Sequence, residues 1–358
     1  MGTKYSPETF MKRCNELALQ GLGRTYPNPM VGSVIVHDGR IIGEGYHHTI
    51  GEAHAEVNAI QSVKDKSLLR DSTLYVNLEP CSHHGKTPPC SNFIVDQEIP
   101  RVVIGIGDPS DKVSGKGIDI MKRGGCDVRT GLLEEECLEV NKRFFTLHEK
   151  QRPYIILKWA QTIDGFIDKD RGPNDPIQPN WITNQQSKRV VHKWRAEEQA
   201  ILIGSVTALK DNPQLNVREW SGEHPLRFLL DRDFDVNENY RIIHDDLPSV
   251  VYVDQSVPEK KLSAMERYAV EFVRLDFSRN ILNQLMEDLY KREISSIIIE
   301  GGGYTLNHFI SMDLWDEARI FVGDKIFHKG VKAPDFPSAE YEKFDFEETR
   351  LYLIRNNK

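Results

Sequence analysis

The sequence of 358 residues lacks long apolar runs and is poor in cysteine. No segment approaches the ~20 apolar residues that a membrane-spanning helix needs. The first ten residues are polar and lack the charged-then-apolar layout of a secretion signal. The five cysteines are an odd number and are scattered along the chain, which argues against a disulfide framework. We therefore expect reduced thiols, a cytoplasmic location and no membrane partner.

An excess of positive charge is also absent, because the net charge is -8 and the pI is ≈ 5.9. Phosphate backbones bind basic protein faces, so this balance argues against nucleic acid as the main partner. Hydrophobic residues make up 39% of the chain and charged residues 28%, which is typical of an ordinary globular protein. At this length two domains are the natural expectation.

Strand-like and helix-like segments alternate along the first 150 residues, which indicates an α/β sheet protein. The dipeptide Asp38-Gly39 lies between two apolar runs and predicts a β-hairpin. The other predicted elements are helices over residues 6–18, 53–64 and 133–150, a short helix after residue 117, and strands over residues 74–78, 101–106 and 127–128.

The alternation of strand-like and helix-like segments begins again after Gln151-Arg152-Pro153, where we place a domain boundary. The predicted domains cover residues 1–149 and 150–358. In the second, we predict strands over residues 154–160, 200–203, 226–230, 250–253, 296–300 and 318–322, and helices over residues 184–197 and 281–292.

A metal-ligand pattern stands in the first half: H-x-E at His54 and Glu56, then P-C-x8-C ending at Cys81 and Cys90. One histidine nitrogen and two thiolates leave a fourth tetrahedral position on zinc for water, as in catalytic sites. The glutamate can then move protons between that water and a leaving group. Zinc nucleobase deaminases carry this pattern with C-x-x-C, so the longer cysteine loop is a departure. The alternative is a core histidine, a surface glutamate and two buried cysteines, which the joint pattern disfavours.

A second candidate site is the triple glycine Gly301-Gly302-Gly303, which follows a predicted strand and opens a predicted helix. Glycines at a helix N-terminus expose backbone amides that bind phosphate. The segment is not G-x-G-x-x-G, so an ordinary dinucleotide fingerprint is not supported. On the residues alone, a tight structural turn is an equal alternative.

Longer motifs resemble the bifunctional riboflavin-biosynthesis deaminase–reductase family. In the first half they are Pro27-Asn28-Pro29-x-Val31-Gly32, His54-Ala55-Glu56-Val57 and the run from Asn77 to Cys90, whose eight-residue cysteine loop is the form that this family carries. In the second half they lie at residues 157–165, 181–183, 192–195, 204–207 and 211–218. The resemblance covers nearly the whole chain and is weak around residues 234–277 and after residue 327.

The resemblance implies a cytidine-deaminase-like α/β/α sandwich followed by a dihydrofolate-reductase-like α/β domain. It implies that zinc-bound hydroxide deaminates 2,5-diamino-6-(5-phosphoribosylamino)pyrimidin-4-one, with Glu56 as the acid and base. NADPH then reduces the ribosyl chain and gives 5-amino-6-(5-phosphoribitylamino)uracil. The implied cofactors are one zinc ion per chain and NADPH, and we expect a homo-oligomer.

The site residues follow from the same resemblance. The zinc ligands would be His54, Cys81 and Cys90. The deaminase substrate would be held by Asn28, His47, His83 and Lys86. NADPH would lie along Ala160, Trp181, Thr207, Asp211, Gly302, Gly303, Tyr304, Thr305, Leu306, Asn307 and His308. The reductase substrate would lie against Lys158, Arg195, Leu215, Arg218 and Glu300, where two guanidinium groups suit a phosphate. Asp164 is a further candidate for orienting the ribose.

Two rival interpretations stay open at this point. One is a monofunctional nucleotide or tRNA deaminase with an unrelated second domain, which the long cysteine loop and the second set of motifs weaken. The other is a zinc-stabilised binding protein without turnover, which an intact Glu56 argues against because structural zinc needs no acid or base.

Overall fold

A computed structural model describes residues 6–82, 88–110, 114–172, 174–337 and 340–356. The chain divides into two compact units, Met1–Gln151 and Arg152–Lys358. Among the described residues, no helix has both the length and the apolar character needed to cross a membrane.

The described part of the first unit forms one mixed sheet with helices packed against it. Its helices are α1 (Pro7–Ala18), α2 (Ala55–Ser62), α3 (Cys90–Asp96), α4 (Lys116–Arg123) and α5 (Glu134–Lys150), and its strands are β1 (Gly32–His37), β2 (Arg40–Tyr46), β3 (Thr73–Leu78), β4 (Arg101–Ile106) and β5 (Asp127–Arg129). The strand order is β2-β1-β3-β4-β5, with β1 antiparallel to β2 and β3, and with β3, β4 and β5 parallel. The predicted hairpin is confirmed: Asp38 and Gly39 have φ of 48° and 75°, as a tight two-residue turn requires.

Helix α2 lies directly on strand β2 because the strand offers glycine at the points of contact. A Cβ on Gly43 or Gly45 would stand 2.5 Å from a backbone atom of Ala59. The buried face of α2, with Ala59 and Ile60, joins a core that contains Ile35 and Leu74 from the sheet. This packing fixes the N-terminal end of α2 near the carboxyl end of β3.

The described part of the second unit is built on a larger sheet. Its strands are β6 (Tyr154–Thr162), β7 (Phe166–Asp168), β8 (Ala200–Gly204), β9 (Leu226–Leu230), β10 (Ser249–Asp254), β11 (Val270–Leu275), β12 (Ser296–Ile299), β13 (Glu317–Gly323), β14 (Val331–Lys332), β15 (Tyr341–Phe346) and β16 (Thr349–Arg355), and its helices are α6 (Gln185–Glu197), α7 (Ser205–Asp211), α8 (Arg241–His244), α9 (Glu259–Ser263), α10 (Ile281–Lys291) and α11 (Gly303–Ser311). Nine of these strands pair in the order β11-β10-β9-β8-β12-β6-β13-β16-β15, and β7 pairs with β14 separately.

In this spatial order, the first seven strands, β11 through β13, are parallel to one another. The last two strands, β16 and β15, pair in antiparallel fashion. Apolar residues follow one another directly in the central strands β8 and β12 because both faces of the sheet are covered. In β12, Ile297 and Ile299 enter one core cluster while Ile298 enters the other. Alternate side chains of a strand point to opposite faces, so each cluster fills one side of the sheet.

Most predicted elements of the second unit are confirmed, among them β8, β9, β10, β13, α6 and α10. One correction concerns Glu300, which follows β12 instead of ending it. The sequence did not predict β11, β15 or β16. Strand β15 is almost fully exposed and rich in charge, so it carries no alternation of buried and exposed residues for a pattern to detect.

Candidate active sites

The predicted zinc ligands come together beyond the carboxyl end of β3. His54 precedes α2, Cys81 follows β3, and Cys90 begins α3. One donor atom from each of the three residues lies within 4.8 Å of the other two. Nδ1 of His54 is 3.5 Å from Sγ of Cys81 and 3.2 Å from Sγ of Cys90. The donor set fits zinc, which binds imidazole nitrogen and thiolate sulfur, and three protein ligands leave a coordination position for water.

The two cysteines differ in how readily they lose a proton. Hydrogen bonds from Cys90 and His54 lower the pKa of Cys81 to about 4. The backbone N–H of Cys90 also donates to the Cys81 sulfur, over 3.3 Å. The Cys90 thiol donates its S–H to the Cys81 sulfur, and this hydrogen bond, together with burial, raises the pKa of the Cys90 thiol. The lowered pKa favours a thiolate at Cys81, and a bound metal would displace the proton of Cys90.

Glu56 lies in the first turn of α2 and is only 3% exposed. Burial, with the nearby charge of Cys81, raises its pKa to about 7. The alternative of a surface glutamate is therefore wrong for this residue. A carboxyl group that gains and loses a proton near neutral pH suits general acid–base catalysis.

Asn28 and His47 extend the same site. His47 is buried, and its Nδ1 donates to the carbonyl oxygen of Ala53 over 3.2 Å. This leaves Nε2 to accept from the Asn28 amide at 3.3 Å, and burial lowers the pKa of the ring, which favours the neutral form. The rings of His47 and His54 are 5.4 Å apart. The two other predicted contacts, His83 and Lys86, lie outside the described residues.

Sequence reasoning missed Glu79, which directly precedes Pro80 and Cys81. Its buried carboxylate accepts backbone N–H groups from one loop and the start of α4, at the following residues: Asp108 (3.4 Å), Gly115 (3.0 Å), Gly117 (3.0 Å) and Ile118 (3.3 Å). A Cβ on Gly117 would stand 2.1 Å from the carbonyl oxygen of Pro80. Glu79 and Gly117 thus hold Asp108 and residues 115–118 close to the turn that carries Cys81. The strand-end position of Glu79 gave no sign of this role.

The second site is a cavity of about 1000 Å³ in the second unit. It lies where β6, β8, β9 and β12 end, the usual place for a ligand in a parallel α/β sheet. Among its described lining residues, three are acidic (Asp168, Asp211 and Glu300) and nine are basic: Lys158, Arg171, Lys188, Arg195, Lys210, Arg218, Arg232, Arg241 and Arg279. A basic cavity in a chain of net charge -8 suits a polyanionic ligand.

The floor of this cavity contains a carboxylate held between two cations. Glu300 accepts from Lys158 Nζ at 2.5 Å and from Arg195 Nη2 at 2.7 Å. Burial by itself would raise the pKa of Glu300, but Arg195 and Lys158 lower it to about 2. Nε of Arg195 is buried and has no hydrogen-bond partner within the described part of the chain. A buried donor without an acceptor is costly, and an oxygen atom of a ligand would satisfy it.

The triple glycine opens α11 at the cavity wall. Gly302 is the N-cap of α11 and provides no side-chain cap, so the first amides of the helix are free to bind phosphate. The other predicted cofactor residues that line the cavity are Ala160, Trp181, Thr207, Asp211, Gly303, Tyr304, Thr305 and His308. All five predicted substrate residues line it too: Lys158, Arg195, Leu215, Arg218 and Glu300.

Three predicted residues do not line this cavity. The Leu306 side chain is fully buried in the core, because it lies on the inward face of α11. Asn307 accepts from the backbone N–H of Asp335 at 3.2 Å. The Asp164 carboxylate accepts the backbone N–H groups of Phe327 (3.2 Å) and His328 (2.8 Å), so it organises a turn.

The structure adds cavity residues that the sequence did not single out, namely Asp168, Arg171, Asn180, Arg232, Phe277 and Arg279, and it places His192, from the motif at residues 192–195, beside them. His192 is buried, which lowers its pKa to about 4, and its neutral Nδ1 accepts from the backbone N–H of Arg218 at 3.3 Å. Most of these residues lie in loops, where no periodic pattern marks them.

The fold and the two sites define a class: a two-unit α/β enzyme with a three-donor zinc site of the deaminase type in its first unit and a large basic cavity for an anionic ligand in its second. Residues 4–106 match the family model of the cytidine and deoxycytidylate deaminase zinc-binding region, and residues 153–348 match the RibD C-terminal domain. Riboflavin biosynthesis protein RibD of Aquifex aeolicus is 37% identical, over 94% of this chain and 92% of its own. The Escherichia coli protein of that name is 33% identical, over 96% of each chain.

A solved structure from Thermotoga maritima, of a diaminohydroxyphosphoribosylaminopyrimidine deaminase/5-amino-6-(5-phosphoribosylamino)uracil reductase, agrees with a TM-score of 0.84. It is 37% identical, and the match covers 97% of this chain and 98% of that one. The chain belongs to the RibD family. It is a bifunctional deaminase and reductase of riboflavin biosynthesis that uses zinc and NADPH, and its two domains have the expected α/β folds.

Proposed function

We propose that the first unit removes the 2-amino group of 2,5-diamino-6-(5-phosphoribosylamino)pyrimidin-4-one. The second unit then reduces the ribosyl chain and yields 5-amino-6-(5-phosphoribitylamino)uracil. The observation that carries this proposal is the buried Glu56 beside three clustered donor atoms, from His54, Cys81 and Cys90. The likeness to the Thermotoga maritima enzyme, whose name states both activities, supports the substrates.

In the deaminase, His54, Cys81 and Cys90 would hold the metal. Zinc, when bound, supplies a Lewis acid that makes a water molecule acidic near neutral pH. Glu56 takes a proton from the attacking water and returns it to the departing ammonia, and a pKa of about 7 serves both transfers. Asn28 and His47 would hold the pyrimidine. We retain His83 and Lys86 as proposed contacts to the substrate.

In the reductase, the nicotinamide supplies the hydride, and the protein supplies orientation and electrostatics. The amides of Gly302 and Gly303 would bind cofactor phosphate at the start of α11. The rest of the proposed cofactor wall is Ala160, Trp181, Thr207, Asp211, Tyr304, Thr305 and His308, to which the family resemblance adds Leu306 and Asn307.

The reductase substrate would lie beside Lys158 and Glu300, with Leu215 at the wall. The Nε–H of Arg195 is buried without an acceptor among the described residues, and a phosphate oxygen is a suitable acceptor for it. Arg218 would add a second guanidinium group to the same phosphate. Because Glu300 stays ionised, it holds the side chains of Lys158 and Arg195 in place before the substrate arrives.

The order of the two reactions is tested with Glu56→Gln, and Glu52→Gln is the matched control because Glu52 is an exposed glutamate four residues earlier. Given the diaminopyrimidine ribotide, the wild type and the control should release ammonia and consume NADPH. Glu56→Gln should lose ammonia release at least about 100-fold, the scale of general acid–base catalysis, and NADPH use should fall with it. NADPH consumption at the wild-type rate by Glu56→Gln would refute the order.

We further propose a homo-oligomer in a reducing compartment, the cytoplasm. Free thiols at Cys81 and Cys90 are compatible with that compartment. The exposed edge strand β15, with Tyr341 and Phe344 open to solvent, supports self-association. Sedimentation of the purified chain would show its state, and a strict monomer would exclude the oligomer.

A further inference from the structure

Arg171 stands at the centre of a buried polar cluster on the wall of the reductase cavity. Its Nη2 lies 2.6 Å from Asp211 Oδ1 and 2.7 Å from Asp168 Oδ2. Its Nη1 donates to the carbonyl oxygens of Gln178 and Lys210, at 2.8 Å each. The side chain is 9% exposed, so these bonds form largely away from solvent.

These bonds join two segments that are distant in sequence. Asp168 ends β7, and Gln178 lies in the loop that leads from β7 to α6. Lys210 and Asp211 end α7. Asp168 also accepts from the Asn180 side chain at 2.6 Å, so both ends of the loop are fixed to the cluster. The next residue is Trp181, which together with Asp211 belongs to the proposed cofactor wall.

The cluster also has an electrostatic consequence for an anionic ligand. Asp168 and Asp211 are two of the three acidic residues that line the cavity. Without a cation between them, two carboxylates would face a cofactor that carries several negative charges. Arg171 balances one of these charges and fixes the position of both groups. A guanidinium fork does this with directed bonds that an ammonium group cannot reproduce.

We propose that Arg171 is a positioning residue of the reductase: it holds residues 168–172 and 174–181 against the end of α7, and thereby forms the NADPH-binding wall before the cofactor binds. The inference rests on the proposed cofactor site. We assign Arg171 no role at the reacting atoms, because Nη1 and Nη2 bind protein groups and Nε, which has no hydrogen-bond partner among the described residues, is buried.

The test compares Arg171→Gln and Arg171→Lys with Arg274→Gln. Arg274 also fixes a loop through three bonds, to Gln255, Val257 and Glu259, but it does not line the cavity. NADPH binding is titrated by protein fluorescence, and kcat and KM for NADPH are measured separately. Arg171→Gln should raise the Kd and KM for NADPH about tenfold or more, because a misplaced wall weakens binding, while ammonia release stays unchanged. Arg274→Gln should leave the Kd and the KM for NADPH unchanged.

Arg171→Lys separates positioning from charge. It keeps the positive charge, but one ammonium group cannot reach all four acceptors, so NADPH binding should still weaken. If Arg171→Gln does not fold, the NADPH affinity of Arg171→Lys tests the proposal by itself. Wild-type affinity in Arg171→Lys, or equal losses in Arg171→Gln and Arg274→Gln, would overturn the inference. If the wild type itself bound no NADPH, the proposed reductase function would fail instead.

Discussion

Replacing Glu300 with glutamine should destabilise the second unit, because it leaves two cations without their shared anion. Lys158 and Arg195 both donate to the Glu300 carboxylate, whose side chain is 16% exposed. The pKa of Glu300 falls from an ordinary 4.5 to about 2. At ~1.4 kcal/mol per pH unit this corresponds to about 3 kcal/mol, which agrees with the ~3–5 kcal/mol lost when one partner of a buried ion pair is removed.

The pH dependence of this effect has a definite sign. A carboxyl group with a lowered pKa contributes its full stability above its unfolded-state pKa and loses that contribution as pH falls toward its folded-state pKa. The difference between the wild type and Glu300→Gln should therefore be constant from pH 8 to about 5.5 and should shrink between pH 4.5 and about 2.

The assay is urea unfolding followed by tryptophan fluorescence. All five tryptophans lie between Trp159 and Trp315, so the signal reports the second unit alone. The control is Glu287→Gln, which breaks an exposed ion pair with Lys291 and should cost less than about 1 kcal/mol. A loss below about 1 kcal/mol in Glu300→Gln at pH 7, or a difference that does not change down to pH 3, would refute the reasoning.

Two further predictions concern the first unit. Cys90→Ser should lower the amount of bound zinc, measured by metal analysis, because it removes one of three clustered donors. It should also abolish ammonia release while the affinity for NADPH is kept. Unchanged zinc content would exclude Cys90 as a ligand. Glu79→Gln should destabilise the first unit by about 1–3 kcal/mol, since an amide cannot accept all four N–H groups that the carboxylate accepts. Amide hydrogen exchange at residues 114–118 should then accelerate, and unchanged exchange there would contradict the role given to Glu79.

Local patterns in the sequence were enough to predict the elements with strong periodicity and the types of the chemical groups. The Asp38-Gly39 turn, the apolar central strands and the helix after the triple glycine follow from short-range rules of backbone geometry and periodicity. The zinc motif was equally visible, because zinc needs particular donor types. The charged edge strand β15 and the strand β11 escaped these rules, since their pairing with neighbours, and not their own pattern, makes them strands.

How these groups act together depends on contacts between segments that are distant in sequence. Nothing local to Glu56 shows that it is buried with a raised pKa, because burial depends on elements distant in sequence. Glu79 and Arg171 are ordinary charged residues in the sequence, and they become organising groups only where distant loops bring backbone and carboxylate partners to them. Long-range packing determines how far an ionisable group is removed from water and which groups it contacts. These two factors set its pKa and its role.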